Sequence, residues 1–101
     1  MPKTDKISLA YDQALLNSII GKTFPVEDFE KEMRKVFRKK SREKLWWSNM
    51  PTRIWDGKNY HEVNYRCCPE SHNARNLFCL VLDREAEPGK ILVREGYLES
   101  L

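Results

Sequence analysis

At 101 residues the chain has the length of one domain, and two independent cores would each fall below the size that folds unaided. Hydrophobic residues make up 41%, including three Trp, four Tyr and four Phe, which excludes a disordered chain, while the 33% charged residues and net charge of +3 describe a well-solvated surface. No apolar run approaches the ~18 residues that span a bilayer and no apolar stretch follows Met1-Pro2-Lys3-Thr4-Asp5-Lys6, so we expect a single domain over residues 1–101, kept in the cytoplasm, with no membrane partner.

In chain order, Ile7, Leu9 and Tyr11 alternate with Lys6, Ser8 and Ala10, which suits a short strand, although Ser8 would equally cap a helix beginning at Leu9. Beyond Asp12, the spacing of Leu15, Leu16, Ile19 and Ile20 is helical, and Gly21 fits the position just past the helix end. A second helix is expected over residues 25–40, with Thr23 as its cap and Pro25 in its first turn. Val26, Phe29, Met33, Val36 and Phe37 fall on one stripe at about 100° per residue, and that stripe should face the core. Glu27, Asp28 and Glu30 crowd its start and Arg38, Lys39 and Lys40 its end, matching the helix dipole, with Glu27–Lys31 and Glu30–Arg34 at ion-pair spacing.

After Pro51 the pattern becomes that of strands. Residues 52–55, then Asp56-Gly57, then 58–68 read as a hairpin closed by a two-residue turn, with Val63, Tyr65 and Cys67 on one face and Glu62, Asn64 and Arg66 on the other. Residues 69–76 form a polar loop, and 77–82 (Leu-Phe-Cys-Leu-Val-Leu) are a continuous apolar run suited to a central strand. Glu87-Pro88-Gly89 then turns the chain into a last strand over 90–93. The expected architecture is α+β: two N-terminal helices packed on a three- to four-stranded antiparallel sheet.

Between Lys31 and Lys44 stand eight Lys or Arg against two Glu, a local charge of +6 that leaves −3 for the rest of the chain. Lys31, Arg34, Lys35, Arg38 and Arg42 lie opposite the Met33, Val36, Phe37 stripe on a helical wheel, so burial of the stripe turns these cations outward. With Lys39 and the nearby Trp47 they form the candidate partner-binding surface, suited to nucleic-acid phosphates or to an acidic protein or nucleoprotein surface. The plain alternative is a solvated face that keeps the chain soluble. Trp46, Trp47 and Trp55 bracket the junction of helix and sheet, where stacking on bases is one role and sealing the core is the stronger expectation.

Cys67, Cys68 and Cys79 are an odd set for a disulfide framework, so reduced thiols are expected. With His61 and His72 they include zinc-ligand types but lack paired spacing, and Cys67 and Cys68 would point to opposite faces of a strand, so neither metal nor cofactor is expected. His61, Glu62, Tyr65, Arg66, His72 and Arg75 make an alternative, catalytic set in which His61 or His72 acts as acid or base and Arg66 or Arg75 holds a phosphate. With residues 7–11 taken as a strand, the order strand, helix, helix, antiparallel sheet resembles the RelE-type ribonuclease toxins of toxin–antitoxin pairs. That likeness in element order implies a metal-independent endoribonuclease, the alternative to a non-enzymatic accessory, inhibitor or adaptor that docks a basic helix.

Overall fold

A strand with no polar side must be covered on both faces, and residues 77–82 impose that demand on any fold this chain adopts. In the computed structural model, which describes residues 3–37, 44–70 and 75–101, the demand is met by three layers. The elements in chain order are α1 (Lys3–Asn17), β1 (Thr23–Pro25), a 3-10 turn (Val26–Asp28), α2 (Phe29–Val36), β2 (Leu45–Ser48), β3 (Thr52–Trp55), β4 (Tyr60–Val63), β5 (Tyr65–Pro69), β6 (Asn76–Asp83) and β7 (Lys90–Ser100). Five strands form one antiparallel sheet in the order β1-β7-β6-β5-β2, with β6 at its centre, and β3 and β4 form a separate hairpin. The α+β class and antiparallel sheet agree with the sequence reading, but the main sheet has five strands rather than three or four.

The alternation of β6 sorts the core into two. Phe78, Leu80 and Leu82 pack with Tyr65, Cys67, Ile91 and Val93 of the sheet against Leu16, Ile19, Phe29, Met33 and Phe37 of the helical layer. Leu77, Cys79 and Val81 face the other way, where Ile54 and Val63 of the hairpin cover them together with Cys68. Phe37 meets Phe78 edge-on at 4.7 Å in the middle of the first cluster. Asp12, 1% exposed, accepts a 2.8 Å hydrogen bond from Asn76 Nδ2 and fixes α1 to the start of β6.

Several expectations are corrected. Of the two readings open for residues 7–11 the helix is the one adopted, within α1, but that helix begins at Lys3 rather than Leu9. The i, i+2 alternation of three residues fits either state, and the buried Asp12, Leu16 and Ile19, four and three apart, decide for the helix. Thr23 does not cap the second helix. It opens β1, where Thr23, Phe24 and Pro25 lie opposite Leu92, Ile91 and Lys90, and Pro25 sits on an edge strand that tolerates its missing N–H. The helix proper runs for eight residues to Val36 and is capped by Phe37, whose N–H reaches the carbonyls of Arg34 and Lys35.

The long second arm of the expected hairpin is two strands in different layers. Asn64 stands at the break: its Nδ2 donates to the Leu82 carbonyl at 2.9 Å while its Oδ1 accepts from the Leu82 N–H at 2.8 Å, so the side chain replaces a peptide unit beside β6. Val63 therefore faces the hairpin cluster, whereas Tyr65 and Cys67 face the helices. The turn spans four residues rather than two: Asp56 N–H bonds the Asn59 carbonyl, and Asp56 Oδ1 accepts the N–H groups of Lys58 and Asn59 at 2.7 and 2.8 Å. Gly57, at φ 103, takes the conformation that Asp-Gly was read to supply.

The last strand extends to Ser100, well beyond Val93. Leu82 lies opposite Val93 but Val81 lies opposite Glu95, so Arg94 is an extra residue, a bulge that shifts the alternation. After it Leu98 faces the helices while Tyr97 faces the hairpin. Gly96 leaves room for α1: a Cβ there would lie 2.6 Å from Leu16 Cδ1. No helix among the described residues is long and apolar enough to cross a membrane.

Candidate nucleic-acid interface

Helix α2 has the amphipathic form that its sequence demands. Phe29 and Met33 are buried, as is Phe37 just beyond, while Lys31, Arg34 and Lys35 are exposed. The expected Glu27–Lys31 and Glu30–Arg34 pairs are not formed. Among the described residues the ion pair within α2 joins Lys35 Nζ to Glu32 Oε1 at 3.3 Å, at i, i+3 spacing, which leaves Lys31 and Arg34 without an acidic partner. Arg38, Lys39 and Arg42 of the candidate set lie outside the described residues, as does the last part of the expected helix.

Trp47 lies on the same side of the sheet as α2. Its ring is parallel to that of Tyr65, with centroids 6.1 Å apart and planes 10° apart, and Tyr65 in turn meets Phe29 of α2 edge-on at 5.1 Å. One side of the indole is thus backed by protein while the residue as a whole remains 44% exposed. The chain Phe29, Tyr65, Trp47 ties the cationic helix to the edge strand β2 through ring contacts. Burial pushes the Tyr65 hydroxyl well above its usual range, and Cys67 and Glu30 add to the effect. Its Oη is buried without a hydrogen-bond partner.

The tryptophans do not seal the core. Trp46, Trp47 and Trp55 are all substantially exposed, so every tryptophan of the chain faces solvent on at least one side. The strands that carry them alternate. Leu45 is the residue of β2 that turns fully inward, and Ile54 is the one of β3. Trp46 projects on the hairpin side of the sheet, with the Arg66 guanidinium 5.8 Å from its ring.

The residues of the catalytic alternative are not brought together. His61 points inward from β4, stacks on Tyr97 at 3.8 Å and donates from Nε2 to Asp56 Oδ2 at 2.6 Å. Glu62 points outward on the other side of the hairpin, in register with Arg53. Arg66 lies opposite Cys79, and Cys79 lies opposite Tyr97, so the whole of β6 separates Arg66 from the histidine stack. Arg75 precedes β6 at its far end, where its carbonyl accepts the Leu101 N–H at 3.0 Å. His72 lies outside the described residues. The strand on which the likeness to the RelE-type toxins depended is part of α1.

Asp56 is a residue that sequence reasoning missed, because Asp-Gly reads first as a turn. Hydrogen bonds from the Asn59 N–H, the His61 side chain and the Lys58 N–H hold its carboxyl down from 3.8 to about 2. Asp83, at the end of β6, also holds a turn: Oδ1 accepts from Glu85 and Ala86 N–H and Oδ2 from Arg94 Nη1 at 3.2 Å. The three cysteines are buried and unpaired, with Cys67 facing the helices and Cys68 the hairpin. Burial raises all three thiols, Cys79 to about 12, which disfavours their thiolate forms. No protein-family model, curated protein or solved structure matches this chain.

Proposed function

We propose that the protein is a non-enzymatic binding module that docks the helix-bearing face of its sheet on nucleic acid. The observation that carries this reading is the sharing of one face by α2, with unpaired Lys31 and Arg34, and by the exposed indole of Trp47. Lysine and arginine without internal partners exchange water and counterions for phosphates, so each such contact adds affinity that falls with salt. The sequence joining α2 to β2 carries Arg38, Lys39, Lys40, Arg42 and Lys44 against Glu43, so five further cations and one carboxylate stand in the sequence between the two elements that define the face. Trp47 adds a planar surface on which a base can rest.

Lys31→Glu with Arg34→Glu tests the reading. Both positions are exposed and neither joins the core, so the variant should keep its fold by circular dichroism. It should lose most of its affinity for duplex nucleic acid, and the slope of log K against log salt should become shallower by about 0.7–0.9 for each phosphate contact removed. Unchanged binding of the variant to double-stranded DNA and RNA at low salt would overturn the proposal.

A further inference from the structure

The outward side of the β3–β4 hairpin carries a second cluster that the cationic helix does not explain. Alternation sends Ile54, His61 and Val63 inward and Arg53, Trp55, Tyr60 and Glu62 outward. Trp55 and Tyr60 are 48% and 60% exposed, yet they are not loose: their ring centroids are 4.9 Å apart, and the Arg53 guanidinium covers the Tyr60 ring at 4.5 Å from its centroid. Glu62 is Arg53's cross-strand neighbour, but the two form no ion pair, so the guanidinium keeps its charge unneutralised above the ring. Indole, phenol and guanidinium thus form a preformed row of three flat groups, closed beside the turn that Asp56 holds.

We infer that this row is a binding site for single-stranded nucleic acid, in which unpaired bases stack on Trp55 and on the Arg53–Tyr60 pair while the free guanidinium edge meets a phosphate. Three features select that occupant. Flat groups already in contact lose little freedom when a base is added. Of the charges on this face, the one that lies over a ring is the Arg53 cation, which has no ion pair with its cross-strand neighbour Glu62 and is complementary to a backbone phosphate. A base in a duplex has both faces covered by its neighbours, so the row discriminates for unpaired strands. The hairpin and α2 cover opposite sides of the main sheet, so the site is separate from the helical face and does not rest on it.

Fluorescence of Trp55 reads the site directly. In the variant Trp46→Phe with Trp47→Phe, Trp55 is the remaining tryptophan, and titration with a single-stranded oligonucleotide of about eight nucleotides should quench it. A blunt duplex of the same sequence should quench it far less, and polyglutamate should leave it unchanged. Separately, in the otherwise native chain, Tyr60→Ala and Arg53→Gln should each weaken single-strand binding about tenfold. Lys31→Glu with Arg34→Glu should leave the Trp55 quenching in place, so failure of the helical face and failure of the hairpin site give different results. Absence of quenching, equal quenching by single strand and duplex, or equal quenching by polyglutamate would each overturn the inference, the last by showing a surface that answers to negative charge alone.

Discussion

The two faces of the main sheet are closed by different means, and the difference separates what holds the molecule together from what it offers to a partner. On the helical side thirteen buried residues form the cluster, drawn from α1, α2 and four strands and bound by three edge-on aromatic contacts. The hairpin side closes over five, and the hairpin itself contributes only Ile54 and Val63. A helix packed by its apolar stripe sends cations outward as a by-product of solubility, so exposed Lys31 and Arg34 would be found on many surfaces. A two-stranded hairpin has no comparable need to send Trp55 and Tyr60 outward. Exposed aromatics in contact with each other and with an arginine therefore carry more information about binding than an equal number of lysines.

If stability resides on the helical side, Phe78→Ala should be among the most damaging single changes. Phe78 is 1% exposed, on the central strand, against Phe37. Truncation should cost about 3–5 kcal/mol in urea or guanidinium unfolding, and a loss near 1 kcal/mol would mean the helical layer is not the main support. The matching change on the other face, Ile54→Ala, should cost about 2 kcal/mol, at the low end for a buried isoleucine, because a two-stranded layer can settle toward the sheet. Its signature should be local: amide exchange in β3 and β4 should accelerate while β6 and β7 keep their protection. Equal acceleration across all strands would erase the proposed distinction between the faces.

The same contrast explains which parts of the architecture could be read in advance. Residues 77–82 announce a central strand because six consecutive apolar side chains leave no side for water, and β6 is where they lie. Lys31, Arg34 and Lys35 could be placed outward by helical arithmetic from Phe29 and Met33, and all three are exposed. By contrast, the phase of β5 depends on Asn64 bonding Leu82, and that of β7 on the bulge at Arg94. Both are contacts between segments far apart in the chain, invisible to a local pattern. Asp56 was legible as a turn former but not as the partner of His61, because the four-residue turn sets the geometry that lets one carboxylate serve both. Tryptophan position was legible and tryptophan exposure was not, since a large ring beside a strand fits a sealed core or an open surface equally well in sequence.

Asp56 supplies the smallest and most selective test of the two faces. The hairpin tip is fastened by polar contacts to this one carboxylate, whereas the helical side is closed mainly by apolar packing, with Asp12 and Asn76 as its buried polar contact. Its folded-state pKa lies near 2, below the ordinary 3.8, so ionisation favours the folded hairpin. The contribution is complete above about pH 4 and is lost as pH falls through about 2, when the carboxylate must take up a proton in both states. Asp56→Asn keeps an oxygen for the Lys58 and Asn59 N–H groups but presents an amide donor where His61 needs an acceptor, and it cannot titrate. The wild type should therefore exceed the variant in stability by a constant small margin at neutral pH, and that margin should shrink between about pH 4 and pH 2. Amide exchange at Lys58 and Asn59 should rise over the same interval. A margin that stays constant down to pH 2 would mean that the turn is held by its backbone geometry and Gly57 rather than by the charge on Asp56.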